Sequence, residues 1–432
     1  MTRGFSSSLI DNRGRAVCAA ILVVVVYLLL AYGTYSLFTS QIPSGNDFYP
    51  RWRGTRALVR EGRDPYSDEM TLEIQKGMYG RPAREDEDQV AFAYPLYVAL
   101  LVLPFSFFSY PQAQALWMSF LVLLTLAAVI IILRTFDWRP SPIGLVAISV
   151  WFLLFYPTAR SILLGQFSVV VLALLALALW AMQRGHPILA GCCLALTTIK
   201  PQMVFLLIPF LLLTALRWKK YKAVVAFFAL MGILLLLSSF VLPTWLPSFI
   251  TGLGRYQAYT SIYSEGRSPL GVVISYVLPS RLSSWATLLA SLALVGYLLH
   301  VWIRSLTGRG DACQALFLTI IVTLLVPAQT GTTNQVLLLL PLTYWLYQWR
   351  GSRLATLSLS SVLLVGPWIL FLLTVQGNLE HPIMAVPLPL AVLALLLWGS
   401  KECDASSRIA TDLVKCPVTD DLMSEDHRVR VA

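Results

Sequence analysis

Apolar stretches separated by short polar connections run through almost the whole chain, with few charges inside them. A hydrocarbon core of roughly 30 Å needs about 20 apolar residues per helix, and many of the stretches provide them. The pattern therefore predicts an all-α polytopic membrane protein. The first stretch, 17–39, follows Arg13 and Arg15, but it exceeds the apolar core of a signal peptide and lacks a small-x-small cleavage site. We interpret it as a retained first span.

One long polar segment, residues 40–91, interrupts this pattern. Basic and apolar residues alternate at helical spacing from Arg51 to Glu61, and Asp64-Pro65 suits the cap and first residue of a second short helix. We expect a large extracytoplasmic loop with two amphipathic helices lying on the membrane surface. These helices would frame Asp47, just beyond the end of the first span.

The charge of the chain reports its topology. Of 432 residues, 57% are hydrophobic and only 12% are charged. The net charge of +10 could suggest a nucleic-acid partner, but the basic residues fall in short clusters at helix ends, at 217–222, 304–309 and 350–353. Such an excess of Lys and Arg beside membrane spans is typical of cytoplasmic loops. Nucleic acid is not implied.

With those clusters in the cytoplasm, both termini lie inside. The loops assigned outside are 158–166, 200–202, 243–282, 329–335 and 376–383. Segment 92–108 cannot cross fully without inverting every later cluster, so we predict a re-entrant helix there. The result is twelve full spans, or thirteen if another segment is broken instead, in one domain, 1–400, of a plasma-membrane protein. Residues 401–432 would form a disordered cytoplasmic tail.

Several common chemistries find no support in the sequence. None of the six cysteines lies in a loop assigned outside, so no disulfide framework is indicated. There is no Cys/His metal spacing, phosphate loop, dinucleotide fingerprint or Gly-x-Ser-x-Gly elbow. We expect neither a metal nor a cofactor.

Asp47 has two interpretations of equal weight. As a structural residue it would pair with Arg51 or Arg53, or cap the helix that follows. As a functional residue it would be a general base or charge stabiliser at the membrane interface, where partial desolvation and neighbouring charges tune a carboxyl pKa. Asp64 is better explained by its helix start, and the acidic run 85–88 by a solvated turn.

Cations recur in the other outer loops. Arg160 precedes Gly165-Gln166, Lys200 interrupts an apolar run before Pro201, and Arg255 and Arg267 flank Tyr256. A charge this close to a bilayer is costly and is a functional candidate by default, the alternative being snorkelling toward headgroups. Function is favoured for Lys200, because Pro201 indicates a broken helix lining a cavity. A carboxylate facing several cations suits group transfer from a lipid phosphate.

An ordered set of motifs links these residues. It comprises Asp47-Phe48-Tyr49, Gly62-Arg63-Asp64-Pro65-Tyr66, Phe92-Ala93-Tyr94-Pro95-Leu96, Pro104, Gly165-Gln166, Ile199-Lys200-Pro201 and the Arg217-Trp218 cluster. In this order the motifs resemble family 87 glycosyltransferases of the GT-C superfamily, which include polyprenol-phosphate-mannose-dependent α-(1,2)-mannosyltransferases. Two departures are Leu96, where the family commonly has a second Pro, and Phe167, where it has Asn. These concern the sugar or acceptor more than the reaction class.

The resemblance implies a GT-C-like fold that transfers mannose or another hexose from a polyprenyl-phosphate-linked donor to a hydroxyl of a lipid or glycan acceptor. The active site would face away from the cytoplasm, with Asp47 as the base of an inverting displacement. The departing phosphate is negatively charged and would be held by four cations, Lys200, Arg160, Arg255 and Arg267. Further substrate contacts would come from Tyr49, Arg51, Tyr94, Gln166 and Tyr256.

The competing interpretation is a membrane protein without enzymatic activity, such as a transporter or a translocase of lipid-linked sugars. It too would explain cations at membrane depth and a broken helix. The sequence shows no internal repeat of the kind that marks many transporters. The large outer loop with a carboxylate at its start favours the enzyme.

Overall fold

A computed structural model describes residues 3–41, 46–84, 87–264, 268–328, 330–375 and 380–399. Every regular element in these ranges is a helix, which confirms the predicted all-α class. The α-helices are α1 (Arg3–Thr34), α2 (Tyr49–Arg56), α3 (Asp68–Tyr79), α4 (Val98–Val102), α5 (Tyr110–Thr135), α6 (Pro142–Leu154), α7 (Tyr156–Leu163), α8 (Ser168–Gln183), α9 (Pro187–Thr197), α10 (Leu207–Arg217), α11 (Tyr221–Val241), α12 (Trp245–Ser264), α13 (Pro269–Val277), α14 (Ser280–Leu306), α15 (Ala312–Leu325), α16 (Leu339–Gln348), α17 (Arg353–Thr374) and α18 (Pro387–Gly399).

Five helices in the described ranges are long and apolar enough to cross a membrane, as expected of a polytopic membrane protein. They are Gly14–Thr39, Tyr110–Thr135, Tyr221–Val241, Ser280–Leu306 and Leu354–Thr374. Helices α6 and α7 meet at a bend of 62°, and these ranges contain six candidate spans if the two count as one. The bend falls just before Pro157, which has no N–H to bond the preceding turn, and Phe155 leaves the helical region with ψ of 121°.

Shorter apolar helices of 10–17 residues pack among the long ones. They are Val98–Phe107, Ser168–Gln183, Pro187–Thr197, Leu207–Arg217, Ala312–Leu325 and Pro382–Leu397. Helices of these lengths extend roughly 15–26 Å, less than the hydrocarbon core. The count of twelve full spans therefore stays a prediction.

Helix α5 forms the middle of the bundle, and half of its most apolar stretch is buried. Helices α1 and α8 pack against it, and α9 packs against both α8 and α11. A Cβ atom on Gly191 of α9 would lie 2.1 Å from the carbonyl oxygen of Ala223. The missing side chain lets the two backbones touch, as small residues do at other membrane-helix interfaces.

Two of the basic clusters, 217–222 and 304–309, meet at one end of the bundle, where Arg217 Nε donates to the Leu306 backbone carbonyl at 2.8 Å. Arg184, just after α8, donates a hydrogen bond to Asp137 Oδ1 at 2.8 Å, just after α5. Lys220 donates to the backbone carbonyl of Met182 near the end of α8. We call this the basic end. The gathering of clusters that are separate in sequence supports their assignment to one side of the membrane, and which side it is stays a prediction.

The polar segment 40–91, which we expect to lie outside and call the outer loop, contains helices in both predicted places. Helix α2 continues through a π-helical turn, Ala57–Glu61, so the helix covers the alternating segment. The predicted cap of the second helix is wrong. Ser67, not Asp64, caps α3, its Oγ accepting a hydrogen bond from the Met70 amide. Asp64 Oδ1 instead accepts from the Tyr66 amide at 2.8 Å, a local turn that the Asp-Pro pattern could not distinguish from a cap.

A network of charged side chains joins α2 to α3. Arg53 Nε donates to Glu73 at 2.7 Å and its terminal nitrogens bind both oxygens of Glu61. Arg63 bridges the same two carboxylates. Hydrogen bonds from Arg53 and Arg63 lower the pKa of both glutamates. The loop therefore holds its shape through ion pairs of its own.

Segment 92–108 forms α4 followed by a 3₁₀ turn, Leu103–Phe107. Trp52 Nε1 on α2 donates to the Phe105 carbonyl at 3.2 Å, and Arg56 donates to the carbonyls of Ser106 and Phe108. Helix α2 of the outer loop is thus hydrogen-bonded to the end of segment 92–108. A helix of ten residues is too short to cross a bilayer, and the re-entrant path stays a prediction that this length favours.

The structure describes part of the acidic run and four of the six cysteines. Residues 85 and 86 lie outside the described residues, and Arg81 holds the pKa of Glu87 down at about 2 through a side-chain hydrogen bond. Cys18, Cys192, Cys193 and Cys313 are free thiols. Cys403 and Cys416 lie outside the described residues.

Candidate active site

Asn46 fixes the start of the outer loop against the bundle. Its backbone N–H donates to the Tyr110 hydroxyl at 3.0 Å, and that hydroxyl donates to Asn46 Oδ1 at 2.8 Å. Its side-chain amide donates to the Leu163 carbonyl at 2.9 Å. One residue thus ties the loop to the start of α5 and the end of α7. Asp47, the next residue, is held at this junction.

Gly165 provides the close approach that the junction requires. Its φ of 68° lies in the left-handed region, which a side chain disfavours, and a Cβ atom there would lie 2.7 Å from Phe48 Cβ. Trp117 Nε1 donates to the Gly165 carbonyl at 2.9 Å, and the Trp117 ring stacks on Phe48 at 4.9 Å between centroids. Gln166 is thereby brought up to Asp47.

A hydrogen-bonded chain joins three of the predicted residues. Gln166 Nε2 donates to Asp47 Oδ2 at 2.5 Å, and Lys200 Nζ donates to Gln166 Oε1 at 2.9 Å. The orientation of the Gln166 amide follows from its neighbours, because an ammonium can only donate and a carboxylate can only accept. Residues from the outer loop, the α7–α8 turn and the α9–α10 connection therefore form one unit of carboxylate, amide and ammonium.

The contacts of Asp47 do not match either structural interpretation. Arg53 is engaged by Glu61 and Glu73, and no side chain caps α2. Arg51 donates to the backbone carbonyl of Asp47. The carboxylate itself is directed to Gln166.

Lys200 points into the protein rather than toward lipid headgroups. The residue is 4% exposed, and its Nζ also donates to Ser168 Oγ at 2.7 Å. The Ser168 hydroxyl in turn lies 3.4 Å from Asn334 Oδ1, on the buried 3₁₀ segment Thr332–Leu338. A buried ammonium is tolerated only when hydrogen bonds and opposite charge compensate its lost hydration. The snorkelling alternative does not describe this side chain.

Arg51 adds a second cation to the same place. Both Arg51 and Asp47 lie within electrostatic range of the Lys200 ammonium, which Arg51 repels and Asp47 attracts. The Arg51 guanidinium lies over the Tyr94 ring at 4.3 Å from the centroid, a cation–π contact. Tyr94 is 5% exposed and packs against Phe167. The arrangement places two cations and one carboxylate close together.

The model of glycosyltransferase family 87 matches residues 92–329, more than half of the chain. The chain is a family 87 glycosyltransferase. No curated protein and no solved structure matches it. Within this glycosyltransferase the matched region contains Tyr94, Gln166 and Lys200, whereas Asp47 precedes it and Asn334 follows it. The geometry therefore joins residues inside and outside the matched region.

Tyr49 occupies a different place from the other predicted substrate contacts. Its hydroxyl packs so closely on Gly77 of α3 that a Cβ atom there would lie 1.9 Å from it, and its ring meets Tyr110 edge to face. Burial raises the pKa of the Tyr49 hydroxyl. In this glycosyltransferase Tyr49 joins the two loop helices.

Arg160 is likewise set apart from Lys200. Its Nε lies 3.9 Å from Glu380 Oε2, and its guanidinium lies 5.4 Å from the Phe371 ring centroid. Arg267 lies outside the described residues, as do the side chains of Arg255 and Tyr256. Of the four predicted phosphate cations, Lys200 alone is joined by described contacts to Asp47 and Gln166.

The residues predicted from the sequence did not include Ser168, Asn334, Glu380 and Thr332. Ser168 and Asn334 are neutral polar residues at the edges of apolar segments, where nothing marks them as ligands of a buried ammonium. Glu380 lies in segment 376–383, which the sequence assigned outside, and is one of few carboxylates in the loops so assigned, a signal that could have been used. Among the residues described, no group of three or more His, Cys, Asp or Glu side chains could hold a metal ion.

Proposed function

We propose that this membrane glycosyltransferase moves a sugar, mannose or another hexose, from a polyprenyl-phosphate-linked donor to a hydroxyl of a lipid or glycan acceptor. The family supplies the reaction class. The observation that carries the finer proposal is the chain of hydrogen bonds from Asp47 through Gln166 to Lys200. A base and a cation held by one amide suit a reaction that removes a proton on one side and releases a phosphate on the other.

In the proposed step the acceptor oxygen attacks the anomeric carbon from the face opposite the phosphate. The new carbon–oxygen bond forms as the bond to the phosphate oxygen breaks, and its electron pair leaves with polyprenyl phosphate. The acceptor proton passes to Asp47, and the anomeric configuration inverts. Gln166 occupies Asp47 Oδ2, and within the described ranges no hydrogen bond reaches Oδ1. Oδ1 is therefore the oxygen that we assign as the proton acceptor.

Lys200 and Arg51 would stabilise the negative charge that develops on the leaving phosphate. Preorganised cations act most strongly in a site that excludes water, because the local dielectric constant is low. The burial of Lys200 provides such a setting, and the hydrogen bonds from Lys200 to Ser168 and Gln166 fix the position of its charge before substrate binds.

The proposed face of the membrane is the extracytoplasmic face of the plasma membrane. Asn46 and Asp47 lie at the start of α5, and the basic end lies at its other end. The 26 residues of α5 extend about 39 Å, which is enough to separate the two sides of a bilayer. If the basic end is cytoplasmic, as the positive-inside pattern favours, Asp47 faces outward.

The experiment is transfer by purified protein in lipid nanodiscs. Radiolabelled polyprenyl-phosphate sugars are supplied one at a time with a membrane lipid extract as the acceptor source. We expect one sugar to be transferred, polyprenyl phosphate to be released in equal amount, and the product to have inverted anomeric configuration by NMR. Absence of transfer from every donor, or retention of configuration, overturns the proposal. Movement of intact donor across liposomes without transfer would favour the translocase.

A further inference from the structure

A second polar cluster borders the Asp47 site, centred on Glu380. The Tyr156 hydroxyl donates to Glu380 Oε1, and the Thr332 hydroxyl donates to Oε2 at 2.7 Å. Arg160 Nε lies 3.9 Å from the same Oε2. We call Tyr156, Arg160, Thr332 and Glu380 the Glu380 cluster. It joins α7, the 3₁₀ segment Thr332–Leu338 and the loop before α18.

The cluster has unused capacity for hydrogen bonds. Arg160 Nε is buried and donates to no acceptor within the part of the chain that the structure describes. Its 3.9 Å separation from Glu380 is an ion-pair distance, too long for a hydrogen bond. Leaving a buried donor unpaired is costly unless a ligand completes it. The side chains of Arg160 and Glu380 are 22% and 18% exposed, so a ligand can reach the exposed part of each and needs only a small shift of Arg160 to meet Nε.

Aromatic rings form one wall of the cluster. The Phe371 ring centroid lies 5.4 Å from the Arg160 guanidinium. Tyr156 meets Trp368 edge to face at 5.0 Å and lies 5.5 Å from Phe371. Aromatic walls with a few fixed polar groups are typical of small-ligand sites.

The charges of the cluster favour a neutral, hydroxyl-rich ligand. Glu380 and Arg160 compensate each other, so the cluster has no net attraction for a phosphate, and the carboxylate repels one directly. A sugar hydroxyl can donate to a carboxylate and accept from a guanidinium. This chemistry separates the cluster from Lys200 and Arg51, whose charges are both positive.

The position of the cluster relates it to the acceptor. Thr332 bonds Glu380, and Asn334, two residues later, contacts Ser168 and through it Lys200. Residues two apart in a 3₁₀ segment are separated by roughly 4 Å along its axis, so the two sites are neighbours. The donor's anomeric carbon must lie between Asp47 and the cations that face its phosphate. The Glu380 cluster lies beside that space, where an acceptor would extend away from its attacking hydroxyl.

We propose that the Glu380 cluster binds hydroxyls of a saccharide that is part of the acceptor. The proposal rests on the proposed function and deepens it, because it assigns the acceptor to glycans or glycosylated lipids rather than simple lipid alcohols. A site built to hydrogen-bond a sugar hydroxyl rejects an acceptor that lacks it.

The test is steady-state transfer by Glu380→Gln and Arg160→Lys proteins in nanodiscs, with acceptor varied at saturating donor and donor varied at saturating acceptor. We expect each variant to raise the KM for the acceptor about tenfold, the effect of one good hydrogen bond, while the donor KM changes by less than about twofold. Asp137→Asn is the matched control. It breaks another carboxylate–arginine pair, at the basic end, and should leave both KM values unchanged.

The outcomes separate the two proposals. Failure of the wild-type protein to transfer any sugar overturns the proposed function. Transfer by the wild type, together with an unchanged acceptor KM in folded Glu380→Gln and Arg160→Lys proteins, overturns the saccharide subsite alone. A raised donor KM also overturns it, because the cluster would then bind the donor. If Glu380→Gln does not fold, Thr332→Val decides, since it removes a single hydroxyl and should raise the acceptor KM in the same direction by a smaller factor.

Discussion

The two ends of helix α5 place charges in opposite ways. At the Asp47 end, Asp47 and Lys200 are joined through Gln166, and Lys200 is almost wholly buried. At the basic end, Arg184 is bonded to an exposed Asp137 and is itself about half exposed. Charges at the basic end interact with solvent and headgroups, which compensate them with little help from the protein. Charges at the Asp47 end are oriented by the fold, and substitutions there should cost function.

The largest expected effect concerns the side of the membrane on which each end of α5 lies. A cysteine on one side is labelled in intact cells, and a cysteine on the other side is not. In intact cells a membrane-impermeant thiol reagent should label Ser109→Cys and Arg84→Cys from outside, and should reach Lys222→Cys only after lysis. The parent protein corrects for its native cysteines. Labelling of Ser109→Cys from the cytoplasm alone would show that segment 92–108 crosses the membrane.

The largest expected change in rate is at Asp47. Asp47→Asn keeps the size of the side chain but cannot accept a proton, so transfer should fall by about 10²–10⁴-fold, the usual share of a general base. Folding and donor binding should survive. The matched control is Asp64→Asn, because Asn can still accept the hydrogen bond from the Tyr66 amide. Wild-type transfer by a folded Asp47→Asn protein would exclude Asp47 as the base.

Lys200 should give the next largest effect. Lys200→Ala removes a buried cation, and we expect weaker donor binding and turnover lower by about 10²-fold, as for loss of one transition-state donor. Lys200→Arg should restore part of the activity, because it keeps the charge but changes the geometry. Donor titration and single-turnover rates check this. An alanine variant with wild-type donor affinity would limit Lys200 to a structural role.

Gly165 and Gly185 separate backbone strain from site geometry. Both have positive φ, 68° and 77°, so substitution by Ala should cost each roughly 1–2 kcal/mol of stability. Only at Gly165 would the new Cβ atom also meet Phe48. The Gly165→Ala and Gly185→Ala proteins should therefore have similar melting temperatures. The transfer rate of Gly165→Ala should be about tenfold lower than that of Gly185→Ala, because small displacements of catalytic groups are costly. Equal activities would show that the approach of Gln166 to Asp47 is unimportant.

The smallest effect should be at the basic end. Asp137→Asn removes an exposed ion pair, and such pairs contribute about 0–1 kcal/mol. Asn also tolerates the positive φ of 49° at this position. Transfer rate and melting temperature should both stay near wild type. A large loss of activity would show that the two ends are coupled.

Sequence alone predicted the residues whose charge conflicts with their surroundings. Asp47 and Lys200 stand out because a charge beside apolar runs is rare, and Gln166 followed from the motif order. Ser168 and Asn334 were missed because a neutral side chain has no such conflict until its partner is known. Tyr49 was assigned to substrate through the resemblance, and its packing on Gly77 could not be predicted because it depends on how α2 meets α3, which no local pattern specifies. Arg160 was assigned to phosphate by its charge, and its ion pair with Glu380 could not be predicted because the two residues lie 220 positions apart in sequence.

The number of spans was hard to predict for a related reason. Apolar content indicates that a segment avoids water, but it does not say whether lipid or protein surrounds it. Helices such as α9 and α10 have 11 residues each, and the chain breaks between them at Lys200 to hold the site. The break in the helix marked Lys200 as a candidate residue, and it also left the number of membrane spans undetermined by the sequence.

Helix α1 is expected to make the enzyme sensitive to bilayer thickness. Helix α1 and the π-helical turn that continues it, Tyr35–Thr39, form the apolar stretch Gly14–Thr39. This stretch has 26 residues, and only 6% of its most apolar window is buried in the protein, against 50% for α5. A helix of that length extends about 39 Å and must tilt to match a hydrocarbon core of roughly 30 Å. Asp47 follows this helix within a few residues. We therefore expect thinner or thicker membranes to shift the residue that we propose as the base, so that transfer would depend on lipid chain length.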